Sequence, residues 1–184
     1  MGWAFVLLLL LAASLEAQYS VLHNFSGTTT DGKCPNGSFV LKGSVLYGMT
    51  LYGGASGAGT IFKINMGGTG FAVIHSFAGG TTDGKNPYGS LTLVNGKLYG
   101  MTNQGGTVDG GILFKINSDG TGFELLHSFV ASLGTYPYGS LIRKVSGKIG
   151  DMLYGMTSRG GHRTWASSLS SYKLNNPGLT SGES

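Results

Sequence analysis

Three histidines recur at a constant step. His23, His75 and His127 are each 52 residues apart, within VLHNF, VIHSF and LLHSF. Repeated imidazoles suggest a metal site, but zinc needs its ligands to converge at about 2.0–2.2 Å. Equivalent positions of successive repeats usually lie much farther apart. A hydrogen-bonded packing role among apolar neighbours is therefore the expectation. Asp31 and Asp83 sit in Asp-Gly-Lys segments, where a carboxylate next to glycine caps turn N–H groups. Calcium would need six to eight oxygens, and one carboxylate per turn falls short. Asp109, Asp119 and Asp151 also fall in turn contexts. No spacing among them fixes the carboxyl separation that acid/base work requires. His162 adds little to this set.

The tyrosines of the Tyr-Gly-Met-Thr segments, Tyr47, Tyr99 and Tyr154, read as strand aromatics. They are also the candidate ligand surface, as repeated sugar-stacking or protein-contacting rings. Met49, Met101 and Met156 are expected to fill gaps between repeats, a role suited to an unbranched thioether. Lys63 and Lys115 alternate with apolar residues and should reach solvent. Gly53-Gly54-Ala55-Ser56-Gly57 lacks the Gly-Lys-Ser/Thr ending of a phosphate loop. No motif implies a cofactor, a nucleophile elbow or a cysteine nucleophile.

Cys34 is the only cysteine, so no intramolecular disulfide exists and packing must supply stability. Its expected role is a small buried or half-buried side chain, with an intermolecular bridge as the alternative. Two sequons, Asn24-Phe25-Ser26 and Asn36-Gly37-Ser38, would matter only in a eukaryotic secretory pathway. Asn36 is the better acceptor because it is expected in a turn, whereas Asn24 is expected in a strand.

These residues are positioned by a repeat of about 52 residues. Tyr47-Gly48-Met49-Thr50 returns at 99–102 and 154–157, and Ile61-Phe62-Lys63-Ile64-Asn65 returns as Leu113-Phe114-Lys115-Ile116-Asn117. In residues 71–117 the pattern predicts strands at Phe71–Phe77, Leu91–Val94, Lys97–Thr102 and Ile112–Asn117. Asn95-Gly96 should form a tight hairpin turn, since both residues tolerate positive φ. In the first strand, period-two alternation puts Val73, His75 and Phe77 on one face. The third copy is irregular: Pro137 follows Pro87 by 50 residues, and its hairpin is extended by Lys148 to Asp151. Turns absorb such changes at little cost.

Four short strands per repeat indicate an all-β fold of repeated four-stranded antiparallel units. A partial or oligomer-completed β-propeller-like arrangement fits best, with a β-solenoid as the alternative. About three units fall short of the four to eight blades of a closed propeller, so self-association through open blade edges is expected.

Composition limits the function. The chain has 184 residues, 34 glycines and only 11% charged residues. That is neither disordered nor collagen-like. The formal charge of +4 is spread out, with Arg143, Lys144 and Lys148 as its densest group. No basic face marks a nucleic-acid partner. Ala4 to Ala13 is an apolar run too short to span a bilayer, which gives a signal peptide over 1–17 and a secreted, extracellular protein. No other apolar run suggests a stable membrane span after cleavage. The repeat domain is expected over 18–161, with a divergent, disordered tail over 162–184.

The segments Leu22-His23-Asn24-Phe25, Asp83-Gly84-Lys85-Asn86-Pro87, Leu98-Tyr99-Gly100-Met101-Thr102, Gly105-Gly106 and Gly59-Thr60-Ile61-Phe62 occur in a fixed order. Together they resemble the GloVer-type tandem repeats of bacterial extracellular proteins. Gly111-Ile112-Leu113-Phe114 departs at the threonine, and Met stands where the family often has Thr after Tyr-Gly. The resemblance covers about residues 19–161. It implies export and a repeated β architecture, and brings no assigned reaction. The functional expectation is a non-enzymatic extracellular module with a structural or interaction role, contacting a protein or glycan. The alternatives are a carbohydrate-binding propeller-like module and a propeller-type lyase or hydrolase.

Overall fold

The computed structural model describes residues 19–145, 151–160 and 168–174. The expected signal peptide, the hairpin tip at 148–150 and His162 lie outside them. The described chain is all-β. Its first sheet is a meander of β1 (Gly32–Lys42), β2 (Val45–Gly53), β3 (Thr60–Asn65) and β4 (Ala72–Ser76), in that order. The second repeat gives β5 (Gly84–Lys85), β6 (Thr92–Val94), β7 (Lys97–Thr102), β8 (Gln104–Gly105), β9 (Ile112–Asn117) and β10 (Glu124–Ser128). β6, β7, β9 and β10 form its sheet in the same order, while β5 pairs with β8. That small pair continues the same ladder, because Gly84 faces Gly105 as Gly32 faces Gly53.

The third sheet holds β11 (Thr135–Pro137), β12 (Ile142–Lys144), β13 (Met152–Arg159) and β14 (Ser168–Lys173). β11 and β12 pair with opposite ends of β13, and β14 pairs along β13. All pairings between named strands are antiparallel, and no described sheet closes into a barrel or solenoid.

β7 and β9 have the bounds that the sequence pattern implies. Asn95 and Gly96 both have positive φ, at 49° and 80°, as the tight hairpin requires. Four findings differ from expectation. First, the histidine strand closes its sheet rather than opening one: β4 hydrogen-bonds to β3 and β10 to β9. Second, strict alternation fails within that strand. His75 faces Ile61 and Val73 faces Phe62, so Ile74 is a bulge, and Leu126 is bulged likewise in β10. Third, Cys34 is exposed rather than buried. Fourth, residues 168–173 of the expected tail form β14, in which Lys173 pairs with Met152.

The sheets pack face to face. Tyr47, Met49 and Ile61 from the first sheet meet Leu91, Leu98 and Phe114 from the second in one apolar cluster. Tyr99, Met101 and Leu113 from the second meet Leu141 and Leu153 from the third in another. The first and second sheets therefore each present a Tyr/Met face to the next sheet's leucine-lined face, to which the second sheet adds Phe114.

The inner strands also touch directly. The Ser38 N–H donates to Ser90 Oγ (2.7 Å) and the Ser90 N–H to Ser140 Oγ (2.9 Å). The Gly89 N–H donates to Asn36 Oδ1 (3.1 Å). Here the backbones come so close that a Cβ on Gly89, whose φ is +90°, would collide with the Gly139 carbonyl. A left-handed non-glycine residue costs about 1–2 kcal/mol, and overpacking costs about 1–3 kcal/mol more. Gly89→Ala should thus lower stability by at least about 2 kcal/mol in urea unfolding. Gly67→Ala, with nothing within 4 Å of the added carbon, should change it by less than about 0.5 kcal/mol.

Candidate functional site

The repeated histidines and aspartates form local locks. His23 Nε2 lies 3.2 Å from Asp31 Oδ1, and His75 Nε2 lies 3.3 Å from Asp83 Oδ1. Asp31 also accepts the Ser26 N–H (2.8 Å), the Ser26 hydroxyl (2.8 Å) and the Gly32 N–H (2.6 Å). Asp83 accepts the Ala78 and Gly84 N–H groups at 2.9 and 2.7 Å. Each carboxylate thus closes the loop that follows its histidine.

The imidazoles are sandwiched too. His23 stacks on Phe71 at 3.6 Å and His75 on Phe123 at 4.1 Å. Their other neighbours, Phe25 and Phe77, meet them edge-on and pack against Phe62 and Phe114. Among the described residues, no three His, Cys, Asp or Glu side chains are placed to hold a metal ion.

His127 departs from this pattern. Leu133 stands at its aspartate position, since Thr135 faces Arg159 as Lys85 faces Gln104, and the His127 ring meets Phe129 edge-on at 5.1 Å. Burial pushes its pKa below the ordinary value. It lines an apolar cavity of about 310 Å³ with Met101, Leu113, Leu141, Leu153 and Gly155. The cavity has a sequence cause. In the first two sheets Phe62 and Phe114 pair with Gly48 and Gly100, and their rings lie over those glycines. In the third sheet Ser170 pairs with Gly155, so no phenylalanine stands at that register.

Tyr47 and Tyr99 are buried, at 5% and 8% exposure, and burial raises the Tyr99 pKa. Tyr154 is half-buried. The three rings belong to the Tyr/Met faces, and those of Tyr47 and Tyr99 are covered by the next sheet. A different aromatic group is accessible. Tyr88 and Tyr138 pair with ring centroids 4.5 Å apart. Tyr138 and Tyr52 are exposed, and both lie close enough to Tyr88 to act on its phenol. Partial burial first, then Tyr138 and Tyr52, pushes the Tyr88 pKa up. The Pro-Tyr-Gly-Ser sequence at 87–90 and 137–140 was the available signal. It places both rings on the loops where Gly89 and Gly139 meet.

Met49 and Met101 fill inter-sheet gaps, but Met156 is exposed. Lys115 does not simply reach solvent, because it pairs with Glu124 at 2.8 Å. Arg143 pairs with Asp151. Asn24 is exposed in a segment outside the named strands. Asn36 lies in β1 rather than a turn, half-buried, with its amide oxygen engaged by Gly89.

Burial raises the Asp31 pKa, but the bonds from Ser26, Gly32 and His23 outweigh it and hold the carboxyl below its ordinary value of 3.8. A depressed carboxylate contributes stability above its unfolded pKa, and loses it as pH falls through the folded pKa. Asp31→Asn should therefore lower neutral-pH stability by about 1–3 kcal/mol. It should also flatten the loss of stability below pH 3.8, as read by urea unfolding across an acid series.

No curated protein and no solved structure matches this chain detectably. The model of the Gloeobacter/Verrucomicrobia repeat matches residues 10–167. Its span covers all three sheets up to the start of β14. The chain belongs to the Gloeobacter/Verrucomicrobia repeat family.

Proposed function

We propose that this chain is a non-enzymatic extracellular module, an arc of propeller-like blades whose role is structural or interactive. One observation carries the reading. The groups most capable of chemistry, Asp31, Asp83, His23 and His75, are each spent on loop closure and ring stacking within their own repeat. The fan-like arrangement is supported by the serine ladder, which brings equivalent inner-strand loops of all three repeats together. Export is supported by the apolar run before residue 18. No described helix is long and apolar enough to cross a membrane.

The interaction surface is the group made by Tyr52 of β2 with the loop residues Tyr88 and Tyr138. Paired tyrosines offer flat apolar faces with polar tips, which suits either a protein or a sugar. This pair favours a second reading, carbohydrate binding, and moves it away from Tyr47, Tyr99 and Tyr154. A lyase or hydrolase would need carboxylates or imidazoles free to reach a substrate.

The test is calorimetric titration with cellohexaose and laminarihexaose, alongside assays for reducing ends or unsaturated products. Under the carbohydrate reading one sugar binds, and Tyr138→Ala weakens it about tenfold with an unchanged melting temperature. No binding to either sugar would leave the protein-contact reading in place. Turnover that depends on Asp31 or Asp83 would overturn the non-enzymatic reading.

A further inference from the structure

The described sheets make the same contact twice, and the outer faces of the first and third sheets are the matching halves of a third. On the outer face of the first sheet Phe39 is 56% exposed, while Leu91 and Leu141 at the same register are 3% and 7% exposed. On the outer face of the third sheet Met156 is 61% exposed, while Met49 and Met101 are 2% and 3% exposed. The open Leu/Phe-type face and the open Tyr/Met-type face are the two partners of the contact already formed between the sheets.

The strands are left over in the same complementary way. β14 pairs with β13 on one edge and has no described strand on the other. Residues 20–24 carry the sequence of β4 and β10, yet belong to no sheet. They already sit where the closing strand of a preceding sheet would sit. His23 stacks on Phe71 as His75 stacks on Phe123, and Phe25 meets Phe62 as Phe77 meets Phe114.

We propose that a second copy of this chain supplies the missing half at each end, so that two chains close one ring of six sheets. Residues 20–24 of each copy add to β14 of the other. The β3–β4 register fixes the pairing: Ser168 faces Asn24, Leu169 faces His23 and Ser170 faces Val21, as Thr60, Ile61 and Phe62 face Ser76, His75 and Val73. The outer face with Met156 then covers the outer face with Phe39.

The cavity beside His127 fits the same geometry. Phe71 and Phe123 each stand four residues before the histidine of their own strand and stack on the histidine of the preceding one. Tyr19 stands four residues before His23 and is 91% exposed. In the ring, Tyr19 of the second copy reaches His127 and its apolar cavity. Counting the described sheets favours two copies: one copy shows three and three copies would show nine, whereas propellers close with four to eight. A two-fold axis also satisfies every edge in a closed assembly. This surface is separate from the tyrosine loops, so the proposal stands apart from the binding reading.

The test uses the full chain as its expression host delivers it. Sedimentation and light scattering should give twice the chain mass, whose full-length value is 19.1 kDa, over a wide concentration range. In a Cys34→Ser background, Asn24→Cys with Ser168→Cys should yield a covalent dimer on mild oxidation. A mixture of the two single variants should also crosslink, and neither single variant alone should. Tyr19→Ala should raise the dimer dissociation constant at least about tenfold. Tyr19→Asp with Met156→Asp should give monomers that keep the β-type circular dichroism spectrum. A monomeric wild-type chain, a disulfide formed within one chain, or oligomers that keep growing with concentration would overturn the proposal.

Discussion

Everything in this molecule depends on one sheet's Tyr/Met face finding the next sheet's Leu/Phe face. No single sheet can bury its own apolar residues, since Tyr47 and Met49 point away from Phe62 across the strand pleat. The hydrophobic gain, roughly 25 cal/mol per Å² of apolar surface, appears only when sheets stack. Short strands, glycine-rich turns and the absence of disulfides all follow. A repeat whose stability lies in its neighbours needs little internal reinforcement beyond correct loop closure.

Loop closure falls to aspartate. Asp31 and Asp83 gather two N–H groups and an imidazole each, and the imidazole lies flat on a phenylalanine of the following sheet. Polar and aromatic contacts thus form one continuous device joining a turn, the strand that ends a sheet, and the sheet beyond it. The third repeat has lost the aspartate and has serine at the phenylalanine register of β14, and a cavity lies at that interface. The correlation is physical: the ring at position 62 or 114 occupies space over a glycine, and Ser170 is too small to do so.

The sequence alone reveals the repeat, the all-β class, β7, β9 and the Asn95-Gly96 turn, because these rest on local chemistry. The phase of the sheets is not legible, since a period of 52 residues looks the same wherever it is cut. Only the hydrogen bonds of β4 to β3 decide it. Burial is illegible for a related reason. Met49, Met101 and Met156 sit in identical local sequences, yet their exposure depends on whether a neighbouring sheet covers them. The tyrosines mislead in the same way. Tyr47 and Tyr99 lie on packed faces, whereas Tyr88 and Tyr138 become a surface pair because their loops converge around Gly89 and Gly139.

The serine ladder carries a further consequence. Ser90 receives a hydrogen bond from Ser38 and gives one to Ser140, so every link obeys the same hand-over rule regardless of how many precede it. Such a rule has no memory of position. Gene duplication can therefore lengthen or shorten the array in whole-repeat steps without redesigning a junction. Selection is then free to alter the loops at one rim while the spacing between modules stays set by two glycine backbones in contact.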